Sequence, residues 1–455
     1  MHKHYHLIGI AGIGMSGIAR LLLACGYKVS GSDLKENRIT QELKRRGARI
    51  FIGHSTANVS GADTVIYSSA IKEDNPEVAE ARRSGASLIM RAQALASLMR
   101  DKKVITVSGS HGKTTTTSLV SYLLLEAGLL PTVAIGGILK NIDANACLGN
   151  GKFFVAEADE SDGSFLYYKP QYSIVTNIDR EHLDYYKDFE NEIEAFRKFI
   201  DSTDDDGCIF YSADDANLDH IMGRHKKRSI SFGLKENAQV HPRNVKFEGL
   251  ESEFDCIYKG KSIGRFRLAL GGEHNISNAL AVIALGMELK IDLHFIRKAL
   301  SGYKGAGRRL EIKYSGFGCM VVDDYAHHPT EIRATLKAAR NLKHNRLIAV
   351  FQPHRYSRTQ MLLDDFARSF GDADHLIITD IYAASEEPIA GVDAGLLCAK
   401  VREQDQQKTV DCLSKDKISN HILEMIRPGD LIITLGAGDI VKVSDELAEK
   451  LRDKG

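Results

Sequence analysis

Brief apolar runs alternate along this chain with longer stretches whose apolar residues recur at helical spacing. His6–Ile10 leads into a glycine-rich turn and the helical pattern IARLLLACG; YKVSGSD and ADTVIYSSAI read as strands, and PEVAEARRSG as a helix. The alternation resumes at Val104 with VITV, a polar turn and the helix SLVSYLLLEAG, then runs through FFVAEA and YSIVTNID to the apolar helix of NISNALAVIALGMEL. MVVDD, RLIAVF, HLIITD and DLIITL are apolar strands that each break into a polar loop. Strands alternating with helices predict α/β units built on largely parallel sheets. At 455 residues the length suggests roughly three of them. The charged MRDKK segment after Leu98 and the glycine-rich GYKGAGRRLE set the expected boundaries, giving residues 1–98, 99–311 and 312–455.

The densest chemistry lies in Val104–Thr117, VITVSGSHGKTTTT. Gly109 and Gly112 allow a tight turn whose N–H groups face an anion at the start of the next helix. Gly109, Ser110, His111, Gly112, Lys113, Thr114 and Thr115 therefore form a candidate nucleotide site, with Lys113 against the phosphates and the Thr114 hydroxyl on Mg²⁺. The general GxxxxGK[ST] pattern is not met, because Val107 stands where its first glycine belongs. Upstream, Gly12, Gly14 and Gly17 form a GxGxxG between a strand and a helix, suited to a diphosphate. Asp33 follows Gly12 by twenty-one residues, the spacing at which an acid reaches a ribose hydroxyl.

A second dense stretch, FFVAEADESDGSF, ends a strand in Glu157, Asp159, Glu160 and Asp162, and four carboxylates so close together call for a cation. His182, near Asp179, Glu181 and Asp184, would add a nitrogen ligand, so Thr114, Glu157 and His182 are the candidate metal set. Asn275 and Asn278 stand at a helix start, as caps or as readers of a base or phosphate. In the last unit a polar turn rich in Asp323 and His327 follows a strand, and His354, Arg355, Arg358, Asp380 and the Gly436–Gly438 turn lie at strand ends, where ligands bind in doubly wound sheets.

Composition narrows the class without selecting a reaction. Hydrophobic residues make up 43% and charged residues 26%, and 60 basic residues balance 60 acidic ones, so nothing demands nucleic acid or an anionic membrane. Seven cysteines without a CxxC pair suit a reducing cytoplasm. The opening MHKHYHLIGIAGIG enters a strand at once, which predicts no signal peptide, and no run of 18 apolar residues predicts a membrane span.

Taken in order, GIAGIGMSGIA, VSGSHGKTTTT, EADESDGSF, TNIDREHLDYY, GEHNISNALA, GAGRRLE, VDDYAHHPTEI and FQPHRYSRT resemble the Mur ligase family across all three units. The shortened phosphate loop is the family's form. Ala326 departs from the DYGHHP motif and should restrict the backbone slightly. The resemblance implies a Rossmann-like N-terminal domain for a UDP substrate, a central P-loop ATPase-type domain and a Rossmann-like C-terminal domain for an amino acid. It implies ATP and Mg²⁺, a monomer or weak homodimer, and attachment of L-alanine to UDP-N-acetylmuramate. By the same resemblance Lys113, Thr114, Glu157 and His182 serve phosphate and metal, and Asn275 and Asn278 lie near adenine. Arg308, with Asp323, contacts phosphate, and Gly12, Gly14, Gly17, Asp33 and Ser69 meet the UDP substrate. His327, His354, Arg355 and Arg358 meet the substrates, while His182, His327 and His354 all remain candidates for deprotonating the amine. A carbamylated lysine found in several members is not assigned, since EAFRKFI offers Arg197 and then Lys198. The acidic motif has Ser161 where murein tripeptide ligases tend to carry tyrosine. A dinucleotide-dependent oxidoreductase built on the first glycine loop would leave the acidic and histidine motifs without a role.

Overall fold

The computed structural model describes residues 3–384 and 386–453; the side chain of Asp184 lies outside the described residues. Three sheets follow one another along the chain. The first takes β1 (His4–Ile8), β2 (Lys28–Asp33), β3 (Arg49–Ile52), β4 (Thr64–Tyr67) and β5 (Ser87–Met90) in the order β3-β2-β1-β4-β5, all parallel. The chain leaves β1 towards β2 on one side and reaches β4 on the other, so the first glycine loop sits at the topological switch point.

The second sheet holds β6 (Lys103–Ser108), β7 (Thr132–Leu139), β8 (Ala144–Cys147), β9 (Phe153–Glu157), β10 (Tyr172–Val175), β11 (Cys208–Ser212), β12 (Ser229–Phe232), β13 (Val240–Glu248), β14 (Glu251–Tyr258) and β15 (Lys261–Leu268). Their order is β15-β14-β13-β12-β11-β10-β6-β9-β7-β8, which puts β6 between β10 and β9. The third sheet, β16 (Glu311–Gly316), β17 (Cys319–Asp324), β18 (Arg346–Phe351), β19 (His375–Ile378), β20 (Thr409–Cys412) and β21 (Asp430–Leu435), has the order β16-β17-β21-β18-β19-β20 and is parallel except for β16. The three-unit α/β expectation holds. By internal contacts the chain divides in two: one unit runs to Asn244 and takes in Phe254–Phe266 and Ser277–Lys304, and the other comprises Val245–Glu253, Arg267–Ile276 and the chain from Gly305. No helix among the described residues is long and apolar enough to cross a membrane.

Two features of the first unit matter for the site. The helix Ile13–Ala24, which follows the first glycine loop, docks on the edge strand β8. Asn145 donates to Ile13 O and, at 3.1 Å, to Ser16 Oγ, while Arg20 donates to the Asn145 carbonyl oxygen. A Cβ on Gly17 would lie in ordinary van der Waals contact with Ala146 Cβ, at 3.5 Å, so the helix approaches β8 closely at this glycine. Beneath the first sheet, fully buried Glu77 accepts from Ser32 Oγ (2.5 Å) and Asn58 Nδ2 (2.6 Å), and His6 Nε2 lies 3.5 Å away. Burial alone would raise this carboxyl, but the contacts from His6, Ser32 and Asn58 pull it down to about 2.

Candidate active site

The first glycine loop turns at Gly9, whose φ of 72° lies in the left-handed region, and Gly12 precedes the helix Ile13–Ala24. Asp33, ending β2, accepts from Ala11 N (2.9 Å) and Leu34 N (2.8 Å), so its carboxylate braces the loop. Arg91, which the sequence reading did not single out, lies over Gly14: a Cβ there would fall 2.6 Å from Arg91 Nη1. Arg91 also pairs with Asp159 at 3.1 Å. A fixed cation thus joins a helix N-terminus at the predicted diphosphate loop. Ser69 is exposed in the loop after β4.

Between β6 and the helix Lys113–Glu126, Gly109 (φ 123°) and Gly112 (φ 85°) adopt backbone that L side chains rarely take. The segment after β10 supports the turn from below. His111 N donates to Asn177 Oδ1 (2.8 Å), Thr176 Oγ1 donates to His111 O (2.6 Å), and Asp179 N donates to Ser110 Oγ (2.8 Å). His111 Nε2 lies 2.9 Å from Asp179 Oδ2. A Cβ on Gly112 would meet Asn278 Oδ1 at 2.7 Å, which places that side chain against the loop. Asn275 belongs to the other unit, where its amide donates to Gly271 O at 2.8 Å.

A turn lysine is expected to project into solvent, yet the Lys113 side chain is only 17% exposed. Its ammonium curls back over the turn, donating to Gly109 O (2.6 Å), Ser110 O (3.0 Å) and Glu160 Oε1 (2.7 Å). Burial opposes its charge, but Glu160, Asp159 and Glu181 outweigh burial and hold it firmly protonated. Burial pushes Glu160 up to about 7 against the pull of Lys113.

The four carboxylates expected to share a cation divide their tasks. Asp159 faces Arg91, which with Lys113 overcomes burial and keeps it ionised, and Asp162 accepts from Ser164 N (3.1 Å) within its own turn. Glu157 is raised by burial, while Gly136 N and the Thr114 hydroxyl act the other way. Glu160, Glu181 and His182 bring ligand atoms within 4.8 Å of one another, with His182 Nε2 3.8 Å from Glu160 and 3.6 Å from Glu181. His182 takes a left-handed φ of 56°, strain typical of functional turns. The expected trio is therefore found as Thr114 with Glu157, and His182 with Glu160 and Glu181. Glu157 Oε1 and Glu160 Oε2 are buried with no hydrogen-bond partner among the described residues. Nearby, Glu192 is fully buried and raised to about 8, first by burial and then by Glu160 and Glu181. A carboxylate on the core face of the helix Phe189–Asp201 was the readable sign of it. Arg197 and Lys198 on that helix are exposed.

In the other unit Arg308 (φ 59°) donates to Asp323 Oδ2 (2.9 Å), Gly436 O (2.6 Å) and Gly438 O (3.0 Å), and Thr434 Oγ1 holds the second Asp323 oxygen at 2.7 Å. His327 packs edge-on against His354 (5.8 Å), which stacks on Tyr382 (5.5 Å). Burial, then His327, Arg358, Arg355 and Arg308, lower His354 to about 3 and keep it neutral. Arg355 (φ 72°) donates its N–H to Tyr382 O and lies 3.9 Å from Glu386. Ala326 is buried without a positive φ and donates to Asp324 Oδ1 at 2.9 Å, so alanine fits this position without strain.

Family profiles match the chain in sequence: "Mur ligase family, catalytic domain" over residues 4–103, "Mur ligase middle domain" over 107–286 and "Mur ligase, glutamate ligase domain" over 308–438. A curated UDP-N-acetylmuramate–L-alanine ligase of Geobacter sp. (strain M21) is 48% identical over 451 residues, covering 99% of this chain and 98% of that relative. The crystal structure of the UDP-N-acetylmuramate–alanine ligase of Thermotoga maritima matches over the full length of both chains, with a TM-score of 0.86 and 30% identity. A murein peptide ligase from Psychrobacter arcticus matches with a TM-score of 0.73 and 25% identity over 99% of this chain and 98% of its own.

Proposed function

The chain belongs to the Mur ligase family, and on that premise we propose that it is an ATP-dependent ligase joining L-alanine to the carboxylate of UDP-N-acetylmuramate, a step of peptidoglycan precursor synthesis. Full-length relatives named for that activity support the substrate pair. The observation that carries the chemistry is Lys113, held over the turn at Gly109 and Ser110 with an ionisable partner in Glu160.

Joining a carboxylate to an amine in water is uphill, so the carboxylate first needs a leaving group. Transfer of the terminal phosphoryl group of ATP to a carboxylate oxygen makes an acyl phosphate and ADP; the neutral amine of alanine then attacks the acyl carbon and phosphate departs. Phosphoryl transfer depends on positioning and charge neutralisation more than on covalent help. Lys113 and the N–H groups opening its helix supply both. Thr114 with Glu157, and Glu160 with Glu181 and His182, fit a hard cation, because Glu157 Oε1 and Glu160 Oε2 are buried with no hydrogen-bond partner among the described residues. Mg²⁺ held by them would add positive charge at the phosphate oxygens. Residues 1–98, with Gly12, Gly14, Asp33, Ser69 and Arg91, take the UDP substrate, and residues 99–311 bind ATP. Residues 312–455 present His327, His354, Arg355 and Arg358 to the substrates. Among the candidate bases, burial and its cationic neighbours lower the proton affinity of His354, which counts against its taking the proton of the amine. The reading includes a cytoplasmic location and a monomer or weak homodimer, the latter tested by sedimentation.

Phosphate release in the presence of UDP-N-acetylmuramate, scanning alanine, serine, glycine and the murein tripeptide, tests the assignment. Alanine is expected to give the highest kcat/KM. Turnover confined to the tripeptide would establish the murein peptide ligase reading instead.

A further inference from the structure

On the far edge of the third sheet, His375, Asp411 and His421 bring one ligand atom each to within 4.8 Å of one another. His375 opens β19, Asp411 lies in β20 and His421 projects from the helix Lys415–Met425. The parallel register sets His375 opposite Thr409 and Ile377 opposite Asp411, so His375 and Asp411 leave the same face of the sheet. Ile418 and Ile422 of that helix pack with Ile377 on this face, which fixes the height at which His421 arrives. Both imidazoles converge on a single oxygen, His375 Nε2 at 2.7 Å and His421 Nε2 at 3.1 Å from Asp411 Oδ2. The His375 side chain is 10% exposed, whereas those of Asp411 and His421 are 35% and 36% exposed, and β20 is the edge strand, so an ion can enter from solvent.

We propose that His375, Asp411 and His421 form a binding site for a borderline divalent transition-metal ion, with zinc as the reference case. Two imidazole nitrogens and one carboxylate oxygen, with water in the fourth position, make a tetrahedral zinc donor set, whereas Mg²⁺ and Ca²⁺ prefer oxygen. Bonds of about 2.0–2.1 Å place tetrahedral ligand atoms roughly 3.3 Å apart, so the two imidazole–carboxylate distances need to open by only a few tenths of an ångström. The three ligands come from two strands and the helix that covers them, and the ion ties that helix to the sheet edge. It therefore stabilises the folded chain by mass action.

The test uses the full-length, chelator-stripped protein, with Mg²⁺ in excess to occupy oxygen-rich sites, titrated with Co²⁺ and then Zn²⁺. One equivalent of Co²⁺ should give visible absorption of tetrahedral strength, bleached by Zn²⁺. His421→Gln and Asp411→Asn should each weaken binding at least about tenfold while leaving the thermal midpoint in EDTA unchanged, and His182→Gln should leave the cobalt spectrum intact. If Asp411→Asn disturbs folding, His421→Gln on the half-exposed helix still decides. Absence of the band in the parent, unaltered binding by His421→Gln, or loss of the band with His182→Gln would each overturn the proposal.

Discussion

Gly109→Ala adds one carbon where the phosphate loop rests on the segment after β10. The new Cβ would fall onto Thr176 Oγ1 and lie 2.9 Å from both N and O of Asn177. Neither neighbour can rotate aside, because Thr176 is hydrogen-bonded to His111 O and Asn177 contributes backbone. A φ of 123° costs an alanine about 1–3 kcal/mol. Parting the two segments adds about 1–3 kcal/mol of overpacking and about 1 kcal/mol for the lost hydrogen bond. The expected destabilisation is therefore about 3–7 kcal/mol, large against a typical total of about 5–15 kcal/mol. Gly47→Ala is the reference, since its φ is 99° and a Cβ there meets nothing within 4 Å, so only the backbone term applies. Denaturant unfolding of parent and both variants, with ATP titration of each, separates the terms. Gly109→Ala should lose at least about 2 kcal/mol more than Gly47→Ala, with ATP binding weakened at least about tenfold. Equal destabilisation by the two substitutions, with parental ATP affinity, would refute the claim that the Thr176–Asn177 contact sets the loop.

Lys113→Ala should lower the rate of phosphate release at least about 100-fold while UDP-N-acetylmuramate still binds, and near-parental turnover would remove the phosphate-loop assignment. Glu157→Gln should raise the Mg²⁺ concentration needed for half-maximal activity and spare UDP-sugar binding; equal loss of sugar binding with no altered metal response would make this carboxylate structural. Gly14→Val, driven against Arg91, should abolish calorimetric binding of UDP-N-acetylmuramate and leave ATP affinity unchanged, whereas tight dinucleotide binding by the parent would instead support an oxidoreductase. Glu77 ionises near 2 when folded and near 4.3 when unfolded, so its contribution is complete above about pH 4.3 and lost as pH falls towards 2. Between pH 6 and pH 3 the parent should therefore lose about 2 kcal/mol more stability than Glu77→Gln, and identical pH slopes would show the network to be neutral.

The two glycine loops and the strand–helix alternation were legible because each is local: a turn that needs positive φ, a strand before it and a helix after. What the sequence hid is set by tertiary approach. Arg91 meets Asp159 across 68 positions, and Lys113 meets Glu160 across 47, with no spacing rule to announce either pair. The acidic run looked like one cation site because its charges are contiguous, yet a strand end followed by a turn sends successive carboxylates in different directions. Gly17 completes a ligand fingerprint in the sequence, yet nothing local announced that it also packs against Ala146 of β8. Asn275 and Asn278, three residues apart, fall in different units because the chain passes from one to the other between them.

The Lys113–Glu160 contact also bears on which anions can bind. A tethered carboxylate already at 2.7 Å acts as an internal competitor at high effective concentration, so a dissolved monoanion such as acetate or chloride has little prospect of displacing it. A nucleoside triphosphate brings several charges and further contacts, with which it would win that exchange. On the proposed ATP site, displacement would free a buried carboxylate beside Glu181 and His182, so phosphate arrival and the readiness of Glu160 to accept a cation would become one coupled event. On that reading the loop would favour polyvalent anions before any base or sugar is read.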